Sequence, residues 1–123
     1  MKREEILAMK PGEHLDRVVA LRVMGYEESK TMKGWVRMGA LATYPKRYST
    51  DISVAWELVH KLKIAIIPQS PSAPTELSYY AEYENEPYVK KIHVFAETAP
   101  EAICKAALLA VLEDINLPGE ETE

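Results

Sequence analysis

Cysteine is nearly absent: Cys104 stands alone in 123 residues, so no intramolecular disulfide can form and a reducing cytosol is the expected setting. Glycine is also sparse, with five residues and none clustered. That argues against a phosphate-cradling glycine loop, and neither a Walker-type nor a GxSxG motif occurs. Long apolar runs are missing. IAII at 64–67 is strand-sized, and no apolar run approaches the roughly 18 residues of a membrane span. A positive charge excess is missing too: 15 basic against 19 acidic residues give a net charge of −4. The overall field therefore opposes binding to nucleic acid or an anionic membrane, and any anion site must be local. The opening MKREEILAMK is charged and lacks the apolar core of a signal peptide, so a cytoplasmic location is expected.

What is present is a core-forming sequence. Hydrophobic residues make up 47% of the chain, enough for one domain without metals or disulfides. Residues 3–9 suit a short helix closed by Pro11-Gly12. Leu15, Val18, Val19 and Met24 recur at nearly helical spacing, predicting a helix over 13–24 ended by Gly25. Residues 26–44 are open between strand and loop: Trp35-Val36-Arg37-Met38 suits a strand, while Gly34 and Gly39 suit loops. Ile52, Ala55, Val59 and Leu62 predict a helix over 51–63. A buried strand at 64–67 and a proline-rich loop, QSPSAPTE at 69–76, follow. Tyr79–Tyr83 and the alternating Tyr88–Ala96 predict an antiparallel hairpin with a turn at 84–87. Thr98 and Glu101 form a capping-box pattern with Pro100 in the first turn, starting a helix to about Asp114. Residues 1–116 are expected to form one α+β domain, followed by an acidic, mobile tail at 117–123. The expected order is α-α-β-β-β-α around a small antiparallel sheet of three or four strands.

The chemistry-bearing residues are few. His14, His60 and His93 fall in different elements, with no HExxH or paired-cysteine spacing, so neither metal nor cofactor is expected. Cys104 sits in the apolar run AICKAALLA and reads as a small hydrophobe, not a nucleophile. The acidic pairs suit solvated faces, and the chain is not expected to be an enzyme.

One stretch combines several anion-binding features. Lys46 and Arg47 supply cations, Ser49 and Thr50 hydroxyls, and Tyr44 or Tyr48 a stacking ring, beside the predicted amide-rich start of the 51–63 helix. Lys46, Arg47, Tyr48, Ser49 and Thr50 are therefore the candidate site for a phosphorylated small molecule. The competing reading is structural, because Ser49, Thr50 and Asp51 are each good helix caps. A second candidate is the tyrosine group of the hairpin, Tyr79, Tyr80, Tyr83 and Tyr88. It reads either as core plus sheet surface or as an interaction or self-association surface. The α-β-β-β-α order of 50–114 also matches a double-stranded RNA-binding domain. That function needs basic residues at the last helix start, where this chain has Glu97 and Glu101, so no nucleic-acid partner is expected.

Three blocks carry a resemblance: REEILAMKPGEHLDRVVALRVMGY, YSTDISVAWELVHKL and AETAPEAICKAALLAVLE. In this order they resemble the small phage and prophage proteins of the phage α-β-α sandwich domain. Glu13-His14-Leu15-Asp16 and Tyr26 depart from the family pattern. The resemblance implies a phage or prophage origin and helix–sheet–helix packing, and carries no catalytic residues. Together, the residues and the resemblance lead to a non-catalytic accessory protein, oligomeric and binding a phosphorylated ligand such as a nucleotide defence signal. The alternatives are a module engaging a host or phage protein through the tyrosine hairpin and, last, a small hydrolase.

Overall fold

The computed structural model describes residues 1–85 and 90–115. Among the described residues four α-helices form: α1 (Arg3–Ala8), α2 (Glu13–Arg22), α3 (Ile52–Leu62) and α4 (Ala99–Ile115). Six strands among the same residues fall into two antiparallel sheets. One is small: β1 (Glu27–Glu28), β2 (Val36–Met38) and β3 (Leu41–Thr43), in that order. The other is β4 (Ala65–Pro68), β5 (Tyr79–Asn85) and β6 (Lys90–Ala96), again in sequence order. The fold is α+β, as expected, and the segment 26–44 resolves into strands joined by loops. Its glycines do the turning: Gly34 and Gly39 adopt φ of 84° and 65°, where a side chain would be strained. Tyr88, most of the turn at 84–87 and the tail at 117–123 lie outside the described residues.

Helix α4 organises the core. Ala102 through Ala110 are all buried, one after another, so this helix is wrapped on every side. Its alanines allow close approach of backbones, and Ile103, Leu108 and Leu109 fill the gaps. On one side lie β5 and β6, which turn Ala81, Tyr83, Ile92, Val94 and Ala96 inward. Helices α1, α2 and α3 also pack on α4, burying Ile6, Leu15, Val19, Ala55 and Leu58. The fold thus keeps the expected packing of helices around a small antiparallel sheet. α4 covers it, and the other helices rest chiefly on α4.

Lys105 is the one buried cation of α4. Its Nζ donates to the Leu7 carbonyl at 2.9 Å and to Glu101 Oε2 at 2.7 Å. It ties the C-terminal end of α1 to the centre of the molecule. Glu101 thus gives its carboxylate to Lys105, while its backbone N–H donates to Thr98 Oγ1 at 3.3 Å. The segment 64–67 is not a buried strand. Ile64 is buried, but Ala65–Pro68 forms an edge strand whose Ile67 is 45% exposed.

Candidate functional site

The candidate site lies where α2, the small sheet and the loop 44–51 meet. That loop is folded by its own backbone. Tyr48 N–H donates to Lys46 O at 2.9 Å, and the amides of Thr50 and Asp51 donate to Arg47 O at 3.3 and 3.0 Å. The tight turn sends neighbouring side chains in opposite directions.

Two of the five expected ligand residues point inward. Tyr48 and Ser49 are each 0% exposed. Ser49 fastens the loop to α2: its N–H and hydroxyl donate to Asp16 Oδ1 at 2.8 and 2.6 Å, and Gly12 N–H donates to Ser49 Oγ at 2.9 Å. Asp16, itself buried, thus has one carboxylate oxygen taken up by two donors. Tyr48 fills the core, and its hydroxyl has no hydrogen-bond partner among the described residues. Burial pushes the phenol's pKa up, so it stays neutral. Neither residue can reach a ligand in this arrangement, which corrects their place in the candidate pocket. The physical reason is burial. Tyr48 supplies core volume, and Ser49 satisfies a buried carboxylate that is invisible in local sequence.

Lys46 points outward but away from the cleft, pairing with Glu57 of α3 at 2.9 Å. That carboxylate holds the ammonium above the usual lysine value. The start of α3 is closed by Asp51, whose carboxylate accepts from Ser53 N–H at 3.0 Å and from its hydroxyl at 2.7 Å. Those hydrogen bonds hold the Asp51 carboxyl below the usual carboxylate range. The helix end expected to serve the ligand is therefore occupied by its own cap.

Arg47 and Thr50 remain, and the structure brings other residues to them. A cleft of about 770 Å³ is lined by Arg47 and Thr50 from the loop, Lys33 and Gly34 before β2, and Gly12, Glu13, His14 and Arg17 of α2 and its cap. The buried Asp16 also contributes to the wall. Tyr44 and Pro45 complete it, with Tyr44 64% exposed. The Tyr44 ring lies against Trp35 at a centroid distance of 4.9 Å and a tilt of 40°, an aromatic pair held on the rim. Arg17 forms an ion pair with Glu28 of β1. Three permanent cations (Arg17, Lys33, Arg47) thus face two carboxylates (Glu13, Asp16) in a chain of net charge −4. Helix α2 begins at Gly12, with φ of 149° and no side-chain cap, so this helix start, not that of α3, lies open on the cleft.

Sequence reasoning missed Lys33, His14, Arg17 and the α2 start. The one legible signal was Gly12, a helix cap without a capping side chain. Lys33 comes from the segment that defied periodicity. The hairpin tyrosines divide by strand alternation. Tyr83 is buried and Tyr79 packs against the core, which corrects their place on a surface, while Tyr80 faces outward. Tyr88 lies outside the described residues. Cys104 is buried and its thiol pKa is pushed up by desolvation. Among the described residues no three His, Cys, Asp or Glu side chains gather to hold a metal, and no helix is long and apolar enough to cross a membrane.

The sequence profile of the phage ABA sandwich domain matches residues 17–108. A crystal structure at 2.0 Å of a phage protein from Bacillus cereus ATCC 14579 is similar, with 30% sequence identity and a TM-score of 0.67. The match covers 82% of this chain and 91% of that one. A search of curated proteins gives no match. Block order, fold, profile match and structural likeness agree: the chain belongs to the phage ABA sandwich domain family.

Proposed function

We propose that this chain is a small, non-catalytic phage or prophage accessory protein of the bacterial cytoplasm that captures a phosphorylated small molecule. The observation that supports this reading is the meeting of Arg47 and Lys33 with the Tyr44–Trp35 pair around one cleft. Cations suit phosphate oxygens, and the exposed ring suits a base or sugar, so a nucleotide is the ligand class that matches. Thr50 adds a hydroxyl on the same wall. The cleft volume falls within the roughly 300–1,000 Å³ common for small-molecule sites. Capture rather than turnover is favoured because Asp16 Oδ1 is held by Ser49 and the Cys104 thiol is buried and protonated.

The test is a thermal-shift screen against a broad panel of nucleotides. A ligand that binds only the folded chain stabilises it by about 2.7 kcal/mol at one hundred times its Kd. Arg47→Ala and Lys33→Ala are expected to abolish that shift while leaving the unliganded melting temperature in place. Chromatography is expected to return the ligand intact. The reading is abandoned if no nucleotide moves the melting temperature, or if the cleft variants respond like the parent chain.

A further inference from the structure

The sheet β4-β5-β6 has two faces, and α4 covers one of them. The other face is organised in cross-strand rows. The register aligns Ile67, Tyr80 and Phe95 in one row, Ala65, Glu82 and His93 in the next, and Glu84 with Lys91 in the third. The first row is apolar and open to solvent: Ile67 is 45% and Phe95 46% exposed, and the Tyr80 and Phe95 rings lie 5.1 Å apart. The other two rows place acids on β5 and bases on β6.

We propose that this face binds a second copy of the chain, sheet against sheet. Charge complementarity selects this occupant. A two-fold axis running along the strands, between β5 and β6, keeps each row opposite itself and exchanges the two strands. Tyr80 then meets Phe95 of the second copy, Glu82 meets His93, and Glu84 meets Lys91. Tyr80 and Phe95 of the apolar row cover their twins while Ile67 of the edge strand β4 sits at the rim, and each of the two carboxylates meets a basic side chain. A face that complements itself in both respects fits another copy without requiring any other chemistry. The sheet is small: three strands about 4.8 Å apart, with residues spaced about 3.3 Å, give a footprint well below the roughly 800 Å² per partner of a stable interface. The pair therefore forms at high concentration and dissociates on dilution. This inference stands on the sheet alone and is independent of the cleft.

Sedimentation velocity of the full chain from about 1 μM to about 1 mM tests it, a range that spans weak association. The parent chain is expected to shift from monomer to dimer across that range. Ile67→Lys and Phe95→Lys, both at exposed positions, are expected to stay monomeric throughout. Glu82→Lys is expected to weaken the dimer, and the double variant Glu82→Lys/His93→Glu to restore it. Melting curves at the lowest concentration show that each variant is folded, and Ile67→Lys serves if Phe95→Lys disturbs the sheet. A parent chain that remains monomeric at the top of the range overturns the proposal. So does a dimer that persists in both lysine variants.

Discussion

Within one loop, Tyr48 and Ser49 stand beside Arg47 and Thr50, yet the two pairs do opposite work. The first pair is fully buried, and the second lines a cleft. The inward pair ties the loop to α2 through Asp16 and Gly12. The outward pair thereby shares a cleft with Tyr44 of the same loop and with Lys33, brought from elsewhere in the chain. Neighbours in sequence thus divide into an anchor and a lining. An open cleft at this position depends on a closed contact immediately beneath it.

Breaking the anchor is expected to have the largest effect. Asp16→Ala leaves the Ser49 N–H buried without its acceptor and the hydroxyl with only the Gly12 carbonyl at 3.3 Å, and is expected to cost about 2 kcal/mol in urea denaturation. Cleft binding should fall with it, because the loop loses its tether. Changing Tyr48 to Phe separates core volume from polarity. The ring stays and the unpartnered hydroxyl goes, so the variant is expected to be neutral or more stable by up to about 1 kcal/mol. A clear loss of stability in Tyr48→Phe would show that the hydroxyl has a partner in solution.

Asp51→Ala sharpens the contrast between the two helix starts. Its carboxyl is held below the usual range, so its contribution is fully present above the unfolded value of about 3.9 and is lost as pH falls through the folded value. The melting-temperature gap between parent and variant should therefore be open at neutral pH and close in acid. The smallest stability effect is expected at the lining. Arg47→Ala and Lys33→Ala should stay within about 0.5 kcal/mol of the parent, since both sit on the surface. Equilibrium denaturation of either variant checks this.

The elements with strong periodicity were legible. The helix over 51–63 and the capped start at Thr98 follow from patterns that local physics enforces, namely apolar spacing at 3.6 residues and oxygen caps on orphan amides. The hairpin followed from alternation. Residues 26–44 were not legible, because strands of two and three residues carry too few alternations to register. The edge position of β4 was hidden for another reason: a short apolar run looks the same whether a sheet flanks it on one side or both.

Outside residues 26–44, the sequence by itself determined the element types, and it determined the α+β class and the family, because caps, periodicity and composition act over a few residues at a time. It also singled out one loop as the candidate site. Only the tertiary structure decided which residues of that loop face inward, which helix start stays uncapped, and that Lys33 joins Arg47. Those outcomes depend on a carboxylate 33 positions away from Ser49 needing buried donors, a long-range demand that no local pattern records.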